Sequence, residues 1–161
     1  MTKTCCFFGH RYLLFDNKKS KRKFFDLLLC QIETLIVDSG YTEFVFGGYG
    51  EFDNMAYKAV NAQKQKYPHI KTVYMPAYYR PDDERINGKY DNIAYLPIED
   101  KPKKFAITYR NRAIIDNSNF CIFYVSYDMG GAYQALKYAI RKQKTLLNTT
   151  GIKRIFKEYR T

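Results

Sequence analysis

Short runs of β-branched and aromatic residues alternate along the chain with longer stretches in which apolar residues recur every three or four positions, the two periods that separate strands from amphipathic helices. Thr4–Phe8, Glu43–Phe46, Lys71–Met75, Asn119–Tyr124 and Thr145–Asn148 read as strands, and a shorter one is expected around Ile93–Leu96. The central runs are almost wholly apolar, as in strands covered on both faces. Between them, Phe25, Leu28, Leu29, Ile32, Leu35 and Ile36 form one helical stripe, stopped by Gly40. Phe52, Met55, Ala56, Ala59 and Val60 form a second, and Ala132, Ala135, Leu136, Ala139 and Ile140 a third. A further helix from about Phe105 to Asn117 sets Arg110, Ala113, Ile114 and Asn117 on one face. Regular alternation of strand and helix predicts one α/β domain over residues 1–150, a mostly parallel sheet with helices on both faces. Residues 151–161 read as a basic tail or a short helix.

Ala77 to Lys104 breaks the rhythm with Pro81, Pro97 and Pro102, the acidic run Asp82, Asp83, Glu84, and tyrosines at 78, 79, 90 and 95. A loop of this length inside a compact domain is expected to be a lid or a binding loop.

Composition narrows the picture. The 161 residues are 46% apolar and 17% aromatic, enough for a packed core, which excludes disorder for most of the chain and fits one domain without a second enzymatic module. A net charge of +11 and a pI near 9.4 point to anionic partners. The surplus is not evenly spread: residues 1–23 carry +6 and residues 137–161 carry +7, leaving the segment between them at −2. Cys5, Cys6, Cys30 and Cys121 lack metal-ligand spacing and a C-x-x-C pair, so buried reduced thiols are expected and no metal site. The N-terminal apolar run is too short for a signal-peptide core, no segment has the length of a membrane span, and a cytoplasmic protein without membrane contact is expected.

In an open parallel sheet, ligands sit outside the carboxyl ends of the strands, where glycine loops and helix N-termini present free N–H groups. Three segments fall at that edge: Gly9-His10-Arg11, Gly47-Gly48-Tyr49-Gly50 and Asp128-Met129-Gly130-Gly131. Any one of them could be only a tight turn. Together they predict a binding cleft. Neither G-x-G-x-x-G nor G-x-x-x-x-G-K-[ST] is present, so ordinary dehydrogenase and P-loop readings are weak.

Thr4-Cys5-Cys6-Phe7-Phe8-Gly9-His10-Arg11, Gly47-Gly48-Tyr49-Gly50-Glu51-Phe52-Asp53, Arg110-Asn111-Arg112 leading to Asp116-Asn117-Ser118, and Gly130-Gly131-Ala132-Tyr133 together resemble the YpsA-like branch of the SLOG superfamily, in motif order and over roughly residues 4–148. That superfamily joins the LOG phosphoribohydrolases, the DprA nucleic-acid proteins and ligand-sensing domains of bacterial and phage conflict systems. The resemblance implies a Rossmann-like fold whose ligand contacts are Gly9, His10, Arg11, Gly47, Gly48, Gly50, Asp53, Arg110, Gly130 and Gly131. Hydrolytic members carry a catalytic arginine at the place of Arg110 and a late motif G-G-x-G-T-x-x-E. Here Lys137 occupies the glutamate position and Tyr133 replaces a glycine. An ammonium opposes the oxocarbenium charge that glycosidic cleavage develops, which favours binding over turnover.

The function so implied is a sensor or sequestering sponge for a nucleotide-derived small molecule, ADP-ribose-like or a cyclic nucleotide, acting without a cofactor as a homo-oligomer in phage or bacterial conflict. One alternative is a LOG-type N-glycosidase or ribosyl-transferring enzyme, with Asp53, Glu51 or Asp128 as acid beside Arg110. Another is a single-stranded nucleic-acid module using the basic ends.

The individual side chains have competing roles. Asp53 could take a ribose hydroxyl or only favour the helix N-terminus, and Asp128 could touch a ligand or shape a turn. His10 and Arg11, just beyond a core strand, are expected to contact an anion. Arg110 is expected in the cleft and Arg112 in a salt bridge. Lys18, Lys19, Lys21, Arg22 and Lys23 lead into the first helix as a solvated face or a phosphate rim. Tyr49, Tyr74, Tyr78, Tyr79, Tyr90 and Tyr95 include candidates for stacking on a base.

Overall fold

The computed structural model describes residues 2–97 and 100–150. The expected tail or short helix at 151–161 lies outside the described residues. Six strands form one sheet: β1 (Thr4–Gly9), β2 (Glu43–Phe46), β3 (Lys71–Tyr74), β4 (Asn92–Ile93), β5 (Phe120–Tyr124) and β6 (Thr145–Asn148). Their order is β4-β3-β2-β1-β5-β6, and every pairing is parallel. Four helices connect them: α1 (Lys18–Ser39), α2 (Glu51–Lys66), α3 (Lys103–Asp116) and α4 (Gly131–Arg141).

Strand periodicity divides the core in two. Cys5, Phe7, Phe44, Phe46 and Ile122 point to the face covered by α1 and α2. Cys6, Phe8, Val45, Cys121 and Phe123 point to the face covered by α3 and α4. The reversal of strand order between β1 and β5 follows: connections running toward β4 place their helices on one face, and those running toward β6 place theirs on the other. The two loops that separate there, after β1 and after β5, define the switch point at which such sheets open a crevice.

Several boundaries differ from the sequence expectation. The basic run does not precede α1 but forms its first turns, because Asn17 is extended and its side chain accepts from the Ser20 amide at 2.8 Å, capping the helix earlier than the apolar stripe suggests. The helix ends at Gly40, whose φ of 73° is the left-handed stop. Strand β4 holds only two residues; the Ala94 amide makes a last bond to the Tyr74 carbonyl at 2.9 Å, and Tyr95 and Leu96 lie beyond the strand. Asn117 is exposed beyond α3 and does not share the buried face of Arg110 and Ile114. Of the cysteines, Cys30 is exposed on α1, and the other three are buried. Among the described residues no helix is long and apolar enough to cross a membrane.

Candidate functional site

The loops after β1, β2 and β5 meet at the carboxyl edge of the sheet, and each is held by a different device. After β1, His10 is only 4% exposed. Its Nε2 accepts from the backbone amides of Ser126 at 2.9 Å and Tyr127 at 3.3 Å, and its ring stacks on Tyr127 with centroids 3.6 Å apart. An Nε2 that accepts must be unprotonated, and burial lowers the pKa in the same direction. His10 thus ties the two loops of the switch point together, while Arg11 beside it is exposed. Glu51, at the start of α2, is spent on the same loop: its carboxylate accepts from the Leu13 amide at 2.7 Å and its own amide donates to the Arg11 carbonyl at 2.9 Å.

After β2, the loop Gly47 to Gly50 lies over two buried charged side chains, Arg110 and Asp53. Arg110 reaches from α3 to donate to the carbonyls of Gly47 at 3.0 Å and Met75 at 3.3 Å, and to Asn111 Oδ1 at 2.9 Å. Asp53, in the first turn of α2, is buried beneath the loop. Burial raises its pKa to about 6, against the opposing pull of the Gly48 and Gly47 amides and the Arg110 guanidinium. The Tyr90 hydroxyl, buried and without a hydrogen-bond partner among the described residues, is near enough to feel the Asp53 charge, which adds to burial in raising its pKa. A β-carbon on Gly47 would stand 3.1 Å from the Arg110 guanidinium, so any side chain there would push on the arginine beneath the loop.

The segment between β3 and α3 folds back on this loop. Asp83 receives the Arg85 Nε at 2.7 Å and the Tyr74 hydroxyl at 2.7 Å. The pairing with Arg85 holds the Asp83 carboxyl down at about 2. So fixed, Arg85 donates to the Gly48 carbonyl. Arg85 was not legible as a site residue: it is 37 residues from Gly48, and only the acidic run beside it in sequence hinted at a fixed charge.

Above these loops stands Tyr49. Its ring is 60% exposed, with the Arg11 guanidinium 5.8 Å and the Arg85 guanidinium 5.7 Å from its centroid. Tyr12, Tyr78 and Tyr127 are also exposed, whereas Tyr74 and Tyr90 are buried and stack on each other. The loop after β5 is open by contrast. Gly130 precedes α4 with no side-chain cap, and Asp128 beside it is exposed. Lys137 projects from α4 over the Tyr133 ring at 5.0 Å and is exposed. Arg112 has no carboxylate within 4 Å among the described residues; instead of the expected salt bridge, it lies over Tyr138 at 5.2 Å. Among the described residues no group of three or more metal-ligating side chains occurs.

No protein-family model matches the chain, and no curated protein matches it. Among solved structures it is similar to DNA processing protein A (DprA) from Streptococcus pneumoniae, at 14% identity and a TM-score of 0.68, over 98% of this chain and 56% of that one. The fold is Rossmann-like, as in DprA. DprA from Helicobacter pylori, described for a unique single-stranded DNA binding mode, is similar at 18% identity and a TM-score of 0.61, over 98% of this chain and 73% of that one. The chain therefore spans a little over half the length of the pneumococcal DprA.

Proposed function

We propose that the carboxyl edge binds single-stranded nucleic acid, with a base seated on Tyr49 between Arg11 and Arg85. The reading rests on that exposed ring and its two guanidinium neighbours. An exposed phenol offers a face to any base, worth about 1–3 kcal/mol per stacked base, and arginines beside it supply phosphate contacts and cation–π attraction. Tyr12, Tyr78 and Tyr127 extend the aromatic surface along the edge. The basic pI supports the same partner, as does the likeness to DprA proteins, one of them described for single-stranded DNA binding.

A sequestering or sensing role for a small nucleotide draws less from the geometry. The recess under Tyr49, bounded by Gly47, Tyr74 and Arg110, measures about 160 Å³, below the roughly 300–1,000 Å³ of ordinary ligand pockets. Turnover of the LOG kind draws less again. Asp53 is buried under its own loop, Glu51 is bonded to Leu13, and Lys137 stands where a carboxylate would be needed.

Fluorescence anisotropy with a labelled oligothymidylate tests the reading. Binding is expected to weaken as salt rises, and Tyr49→Ala to weaken it about 5- to 150-fold, the equivalent of one lost stack. Salt-independent binding, an inert Tyr49→Ala, or tighter binding of a mononucleotide than of the strand overturns it.

A further inference from the structure

The apolar stripe of α1 that buries Leu28, Ile32, Leu35 and Ile36 does not stop where burial ends. Followed toward the N-terminus at the same spacing, it continues through Phe25 to Arg22, Lys21 and Lys18. The line that is core farther along the helix is therefore cationic in its first two turns. Opposite it, α2 presents Met55 and Lys58 on its own i, i+3, i+4, i+7 line with Glu51 and Asn54. The two lines bound a groove of about 440 Å³, floored by Leu13, Phe25 and Met55.

Four cations converge on this groove, and little in the chain answers them. Of these four, only Arg22 has a carboxylate within 4 Å among the described residues, the exposed Asp26 at 3.7 Å. Glu51 lines the groove too, but its carboxylate is bonded to the Leu13 amide. The first turn of α1 contains no acidic residue, so its lysines oppose the helix dipole as well as one another. Of the five exposed basic residues in these turns, Lys18, Lys21 and Arg22 line the groove, and Lys19 and Lys23 lie off it.

We infer that this groove binds the sugar-phosphate backbone of a nucleic-acid strand leaving the Tyr49 platform. The inference rests on the proposed function and extends its footprint. The β1–α1 loop provides continuity: Arg11 and Tyr12 lie at the platform, and Leu13, the next residue, lines the groove. Phosphates match the four cations, and the apolar floor takes a sugar or base edge that they bracket.

Oligothymidylates of about 6 and about 16 nucleotides, spanning common single-strand site sizes, separate the two regions by anisotropy. The groove variant carries Lys18→Gln, Lys21→Gln, Arg22→Gln and Lys58→Gln, all exposed positions. A control removes equal charge from other exposed sites with Lys71→Gln, Lys104→Gln, Lys137→Gln and Lys142→Gln. The groove variant is expected to bind the long strand at least about 10-fold more weakly, with a log–log salt slope shallower by about 3, while the short strand is nearly unaffected. The control should change both lengths alike. Groove and control variants that behave identically on the long strand overturn the inference and leave the platform standing. If the groove variant loses the long strand while Tyr49→Ala changes nothing, the groove stands and the platform falls. Failure of the native chain to bind either strand overturns both.

Discussion

The glycines at the carboxyl edge fall into two regions that look alike in sequence and differ in kind. In the loops after β1 and β2, each glycine is crowded by the protein itself. A β-carbon on Gly9 would overlap the side chain of Phe52, one on Gly47 would meet Arg110, and one on Gly48 would come within 2.6 Å of Tyr74. Before α4, a β-carbon on Gly130 or Gly131 would meet nothing within 4 Å. The first region is closed by internal packing, braced by His10, Asp53, Arg110 and Arg85. The second is open backbone at a helix start. A glycine cluster at a sheet edge is thus not a uniform sign of ligand contact, because close approach of a helix or a guanidinium demands the same residue.

Removal of the brace should produce the largest effect. Arg110→Ala leaves the Gly47 and Met75 carbonyls without their donor and removes the positive charge that eases the burial of Asp53, and is expected to cost about 2–4 kcal/mol in urea unfolding. Gly9→Ala forces β1 and α2 apart at a point where Phe52 is fully buried, at a cost of about 1–3 kcal/mol. Either variant behaving like the native chain would erase the distinction between the regions.

Acid titration sharpens it. The folded chain holds the Asp53 proton more tightly than the unfolded chain does, so Asp53 removes stability as pH rises from about 4 through about 6, by up to about 3 kcal/mol. His10 acts oppositely. Its folded pKa is depressed, so its contribution is present above the unfolded value of about 6.5 and lost as pH falls below it. Asp53→Asn should therefore steepen the acid loss of stability, and His10→Gln should relieve it, read by denaturant melts across pH 4–8. The open region should answer least at Gly131. Gly131→Ala changes stability by less than about 0.5 kcal/mol, and Gly130→Ala acts through backbone strain alone, about 1–3 kcal/mol at its φ of 91° and ψ of 177°, with no clash to add.

The fold was legible because its signals are local. Strands such as Phe44–Phe46 and Phe120–Tyr124 are apolar runs flanked by punctuation, and helix stripes repeat at fixed spacing. The start of α1 was not, since the capping role of Asn17 competes with a lysine run that reads as a solvated lead-in. At the site, the three loops and Arg110 could be placed at one edge from their order alone. Which side chains are exposed could not. The arginine at 110 is buried and the one at 11 is exposed, and the difference depends on α3 bringing Arg110 against the Gly47 and Met75 carbonyls. Arg85 and Lys58 gain their meaning only from partners brought in by the chain's return.

The position of β1 also bears on how the protein is made. Of the six strands it is synthesised first and is one of the two central ones, yet one of its two neighbours lies far downstream, with the Thr4 amide bonded to Asn119 115 residues later. Until that segment has been synthesised, β1 can pair only with β2, its edge toward β5 stays unpaired, and the face carrying Cys6 and Phe8 lacks its cover from α3 and α4. An unpaired apolar edge is a template for association with another chain. A pause in translation between β3 and β5 would prolong that exposure, so the yield of native protein should depend on elongation speed through the irregular segment between them.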